Sequence, residues 1–164
     1  MLAGGHSSEG AELSFGLTVN GIIAPNKVWR KSGLQPGDAI VLTKAVGTGT
    51  LFAAEMRGKA KGRWVDAAIQ SMLLSNQQAA ECLQSFDATA CTDLTGFGII
   101  GHLIEMTKAS QVDAEIYMDA LPLLDGAMDT VKAGILSSLQ PANLRLRRAV
   151  QDIEAASKHP AFPL

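Results

Sequence analysis

Thr92-Asp93-Leu94-Thr95-Gly96-Phe97-Gly98-Ile99-Ile100-Gly101-His102-Leu103-Ile104-Glu105-Met106 is the stretch from which the rest of the chain can be read. Before it, Ala88 to Leu94 is strand-like; after a glycine turn, Phe97 to Ala109 reads as a helix, and Ala114 to Met118 as another strand. That order makes one β-α-β unit. Gly96, Gly98 and Gly101 spell G-x-G-x-x-G, with Asp119 ending the next strand, which on paper is a dinucleotide-binding fingerprint. A glycine turn opening a helix points backbone N–H groups and the positive end of the helix dipole at a phosphate. Asp93, three residues ahead of the first glycine, argues against a bare pyrophosphate, which it would repel. A carboxylate there suits a phosphate carried by Mg²⁺, a cation that prefers hard oxygen ligands. The residues therefore favour a metal-phosphate role. The alternative is that the glycines only allow tight packing of strand on helix, with Asp93 a turn or cap residue.

Upstream, Ser14 to Ile23 (SFGLTVNGII) mixes β-branched and aromatic residues with glycines and predicts a strand approached closely by another backbone or a ligand. Pro25, Gly33, Pro36 and Gly37 then break the chain around Val28 and Trp29, and Asp38 to Thr43 predicts a buried strand. The best domain boundary lies near Pro36. Gly47-Thr48-Gly49 reads as a helix start with Thr48 or Thr50 as cap, the helix running to about Arg57. From Val65 to Leu83, apolar residues recur every three or four positions, the mark of one amphipathic helix, with Asn76 mid-stripe in need of a partner. Ala127 to Lys132 predicts a short helix ending at Gly134, and Leu144 to Ala156 a last one.

The whole chain has 164 residues, 47% apolar and 18% charged, with a net charge of −2 at pH 7. This size holds one domain with a real core, or one domain plus part of another. No apolar run reaches the roughly 18 residues of a membrane span, and there is no signal-like N-terminus, so a cytoplasmic protein is expected. Scattered Lys and Arg form no stripe for a nucleic-acid backbone. Cys82 and Cys91 read as buried free thiols. His102 and Glu105, three apart on one helix face, read as a satisfied pair rather than metal ligands, and His159 stands without a constellation. Gly4-Gly5-His6-Ser7 is a donor-rich loop of the kind that can cradle phosphate oxygens, or else a flexible terminal segment.

Three motifs in order, GGHSSEGAELSFGLTVNGII (4–23), GDAIVLTKAVGTGTLFAAE (37–55) and TDLTGFGIIGHLIEM (92–106), closely resemble selenophosphate synthetase, or selenide, water dikinase. The stretch from Gly134 to Asn143 is similar to bacterial members. The resemblance implies use of ATP, selenide and water to make selenophosphate, AMP and phosphate. It also implies an α+β architecture like that of aminoimidazole ribonucleotide synthetase. Residues 1–36 would be a remnant of the N-terminal ATP-binding domain, and 37–164 most of the C-terminal α/β sandwich domain. Gly5, His6 and Ser7 match the loop that contacts the nucleotide, and Asp93 matches a magnesium-binding aspartate. In the family the strand at Ser14 to Ile23 belongs to a sheet that takes part in a homodimer.

The family's reactive cysteine or selenocysteine, catalytic lysine and further metal-binding aspartates find no match. Cys82, Cys91 and Lys44 do not correspond to them. The expectation is a fragment cut at both ends and inactive alone. A stand-alone nucleotide-binding or assembly module is the alternative from another class, and a dinucleotide-dependent oxidoreductase domain a weaker one.

Overall fold

The computed structural model describes residues 4–7, 9–12 and 14–164. Its regular elements are helical: α1 (Thr48–Glu55), α2 (Gly62–Leu73), α3 (Gln77–Leu83), α4 (Gly98–Ser110), α5 (Ala127–Lys132), α6 (Gln140–Asn143) and α7 (Ile153–Ala156), with 3₁₀ turns at Pro25–Lys27, Met118–Ala120 and Leu144–Ala149. Among the described residues, no helix is long and apolar enough to cross a membrane.

The core forms where α1 packs on α2 and α5. Leu51 and Ala54 of α1, Trp64 and Ala68 of α2 and Ala127 of α5 are buried, and Phe52 and Leu124 close over the group. Two glycines at the start of α1 admit close neighbours: an added Cβ on Gly47, just ahead of the helix, would lie 2.5 Å from the Ala127 Cβ of α5, and one on Gly49 2.9 Å from the Ser137 hydroxyl. Thr50 does not cap this helix as expected. Its hydroxyl donates back to the Gly47 carbonyl at 3.0 Å, which satisfies a buried hydroxyl inside the first turn. Lys44 has a structural task at the other end of α2, donating from Nζ to the carbonyls of Ser71 and Leu74 and so closing that helix's open carbonyl end.

Two expected helices are each broken. The 65–83 run divides into α2 and α3 because Leu74 turns extended (φ −65°, ψ 118°) and the Ser75 hydroxyl takes the Gln77 N–H at 3.1 Å. Ser and Asn compete with the helix for their own backbone, so Asn76 stands at the break rather than mid-helix. The 144–156 run becomes a 3₁₀ turn and α7, the latter opened by Asp152, whose carboxylate accepts from the Ala155 N–H at 2.9 Å.

The strands expected at 14–23, 38–43, 88–94 and 114–118 are not found as such among the described residues, so the α/β sandwich is not what this structure displays. A strand-competent sequence becomes a strand only against a facing ladder. The bridge that forms is parallel and isolated, Val46 against Leu123, with Val46 N–H donating to Pro122 and Leu124 N–H donating to Val46, both at 2.9 Å. Ile40, Val41 and Tyr117 consequently remain exposed, as do Phe15, Leu17, Val19 and Ile22. The cysteines are free but not buried: Cys82 is exposed and Cys91 half-buried.

Candidate functional site

A second cluster gathers on α4. Its glycine turn is held from the C-terminal side by α6 and the following 3₁₀ turn: Asn143 Nδ2 donates to the Gly96 carbonyl at 2.9 Å. Leu139 and Leu146 fill the space a side chain at Gly96 or Gly101 would need, with an added Cβ 2.7 and 3.2 Å from them. Gly98 has φ +68°, a conformation that favours glycine. Packing and backbone conformation thus account for all three glycines of the G-x-G-x-x-G pattern. Asp119, the acidic residue a dinucleotide reading would assign to ribose, instead pairs with His159 Nε2 at 2.9 Å. Sequence reasoning missed that pair because 40 positions separate its members.

On the other side, residues 30–34 lie along α4. The Ser110 hydroxyl accepts from the Gly33 and Leu34 N–H groups at 3.0 and 3.1 Å, and the Arg30 carbonyl accepts from Cys91 N–H at 2.9 Å. Lys31 Nζ donates to Glu105 Oε2 at 2.6 Å. That hydrogen bond is the largest influence raising the Lys31 pKa; the negative charges of Glu105 and then Asp93 add to it, against partial desolvation. The same hydrogen bond and the Lys31 charge hold Glu105 below the ordinary glutamate range. Lys31 is the signal the sequence hid, since nothing in its local context marks a partner 74 residues away.

His102 is buried and bonded more fully than a surface pair. The Thr95 N–H donates to its Nε2 at 3.1 Å, and the Thr95 hydroxyl lies 3.1 Å from the same nitrogen. Its Nδ1 sits 3.9 Å from Glu105 Oε2, too long for a hydrogen bond, and has no partner among the described residues.

Asp93 is exposed and in no ion pair or hydrogen bond among the described residues. Next to it the Thr92 hydroxyl is buried without a partner. No cluster of three or more His, Cys, Asp or Glu forms a metal cage among the described residues. Gly5, His6 and Ser7 are exposed and make no hydrogen bond to the other described residues, so the structure does not bring them to Asp93.

Residues 35–142 match the family described as AIR synthase related protein, C-terminal domain. The chain belongs to this family. Within it, the chain is similar to "Selenide, water dikinase" of Clostridioides difficile, 39% identical over 136 residues, covering 83% of this chain and 39% of that protein. The protein of the same name from Geobacter metallireducens is 43% identical over 135 residues, covering 82% of this chain and 39% of the relative. "Selenide, water dikinase 2" of Peptoclostridium acidaminophilum is 35% identical over 159 residues, covering 97% and 46%. The chain therefore spans less than half the length of these relatives. The family match begins beside Pro36, and Asp93 and all of α4 fall within it.

Proposed function

We propose that residues 37–164 serve as the C-terminal domain of a cytoplasmic selenophosphate synthetase acting on ATP and selenide, with residues 1–36 belonging to its ATP-binding half. The observation that carries this reading is Asp93: an exposed carboxylate with no ion pair or hydrogen bond among the described residues, three positions ahead of the glycine turn of α4 and within the family match at 35–142. Mg²⁺ held there would neutralise charge developing on the phosphoryl group during transfer. The chain's own residues hold that carboxylate in place and keep a cation, Lys31, on the flank. Gly5, His6 and Ser7 are assigned to the nucleotide.

The test joins this chain to the N-terminal half of the Clostridioides difficile relative. The expected result is AMP release that requires both selenide and Mg²⁺. ATP consumption indifferent to selenide would overturn the reading.

A homodimer is part of the same proposal. The apolar run from Ser14 to Ile23 makes no backbone hydrogen bond among the described residues and exposes Phe15, Leu17, Val19 and Ile22. Such an edge recruits another chain, and a two-fold pair closes most simply. Sedimentation across concentrations is expected to give a dimer that Val19→Pro reduces to monomer, since proline removes a ladder donor. A monomer at all concentrations for both proteins refutes it.

A further inference from the structure

Asp93 is suspended between two clamps, each two residues away. On its N-terminal side the Cys91 N–H is tied to the Arg30 carbonyl at 2.9 Å, and on its C-terminal side the Thr95 N–H is tied to His102 Nε2 at 3.1 Å. Between these clamps the N–H groups of Thr92, Asp93 and Leu94 have no hydrogen bond among the described residues; the Thr92 carbonyl meets only the Cys91 Sγ, at 4.0 Å, and the Thr95 carbonyl accepts from the Gly98 N–H at 3.0 Å, closing the turn that follows. We infer that His102 is a positioning residue: by accepting the Thr95 N–H it fixes where the Asp93 carboxylate meets a phosphate-borne divalent cation. This rests on the reading of Asp93 as a cation ligand.

The chemistry of the ring supports that assignment. An Nε2 that accepts an amide proton carries none itself, so the neutral imidazole bears its proton on Nδ1. Nδ1–H then faces Glu105, 3.9 Å away, and Glu105 is fixed by Lys31 at 2.6 Å. The negative charge of the carboxylate, acting across that gap without a hydrogen bond, favours the tautomer that leaves Nε2 free to accept. Phe97 lies against the ring with centroids 5.7 Å apart, limiting its rotation. The line Lys31–Glu105–His102–Thr95 connects residues 30–34 and α4 to the segment bearing Asp93. A histidine serving packing alone would not need a preselected acceptor facing both the N–H and the hydroxyl of Thr95.

The test is a titration of the 164-residue chain into preformed Mn²⁺–tripolyphosphate, read by the enhancement of water-proton relaxation when the complex joins the slowly tumbling protein, a signal that the small complex alone does not give. His102→Leu keeps bulk and removes the acceptor; it is expected to weaken Mn²⁺ binding about tenfold, the size of effect seen for outer partners of a metal ligand. His102→Gln restores an acceptor and should recover most of that loss. Thr95→Pro deletes the donor from the exposed side and should weaken binding like His102→Leu, so the test does not depend on the buried variant folding. Nitrogen-15 shifts of His102 should report the Nδ1–H form. If Asp93→Asn binds Mn²⁺ as the unaltered chain does, the Asp93 reading falls and this inference with it. If Asp93→Asn loses binding while His102→Leu and Thr95→Pro retain it, or if Gln is no better than Leu, the inference alone is overturned.

Discussion

Asp93→Asn, introduced into the chimeric synthetase, is expected to abolish Mg²⁺-dependent turnover while leaving the melting temperature nearly unchanged. The substitution keeps shape and removes charge. Losing an outer partner of a metal ligand typically costs roughly ten- to a hundredfold, so loss of the ligand itself should exceed about a hundredfold. Stability should hardly respond, because Asp93 is exposed and in no ion pair among the described residues, and substitutions at such positions stay within about 0.5 kcal/mol. The Asp93 charge acts on Lys31 and Glu105 and raises the pKa of both, so once it is gone the Lys31 pKa should fall slightly toward the ordinary lysine value and the Glu105 pKa should fall slightly further below the ordinary glutamate value. Activity and circular-dichroism melts on the same preparation check both halves. A drop of many degrees with intact activity per folded molecule would make Asp93 a turn residue and nothing more.

Helices were legible in this sequence to the extent that their signals are local. Thr48–Glu55, Gly98–Ser110 and Ala127–Lys132 lie where glycine turns and apolar spacing place them, the last with both ends coinciding. Where the signal was periodic but punctuated, at Ser75-Asn76 and Asp152, side-chain competition for the backbone outweighed the periodicity. The strands failed for a different reason. β-branched alternation reports that a segment fits a pleated surface, not that a partner faces it, and the facing ladders are missing from the described residues. At the candidate site, the motif singled out Asp93 as a candidate, and the structure has it exposed. The long-range contacts on α4 could not be read there: Lys31 to Glu105 and Gly33 to Ser110 span 74 and 77 positions, and no spacing rule joins residues that distant. His102 was visible as a neighbour of Glu105 at three residues, but its principal partner, Thr95, lies seven residues back across a helix start. For the three glycines the sequence favoured a metal-phosphate role with close packing as the alternative, and the contacts with Leu139 and Leu146 supply the packing role.

The largest expected loss of stability comes from a glycine outside the motif. Gly126 precedes α5 with φ +84°, and a Cβ built on it would stand 2.2, 2.4 and 2.6 Å from three atoms of the Trp64 ring. Trp64 cannot retreat easily, since it is buried in the cluster with Leu51 and Ala68 that joins α1 to α2. Gly126→Ala therefore carries two penalties. The left-handed backbone conformation costs an L-residue roughly 1–2 kcal/mol. Forcing the indole aside adds an overpacking cost of about 1–3 kcal/mol. Together these are a large share of the 5–15 kcal/mol by which a typical domain is stable, and they correspond to a fall in melting temperature on the order of 10 °C. Gly134→Ala is the matched control: it has φ +72° but open space around its Cβ, so it should lose only the backbone part. The difference between the two melts isolates the contact with the indole. Trp64→Leu, which shortens the opposing side chain, should make the added penalty of Gly126→Ala smaller than in the unaltered chain, a coupling that a double-mutant cycle measures. Equal melts for Gly126→Ala and Gly134→Ala, with no coupling to position 64, would show that the Trp64 ring does not rest on Gly126.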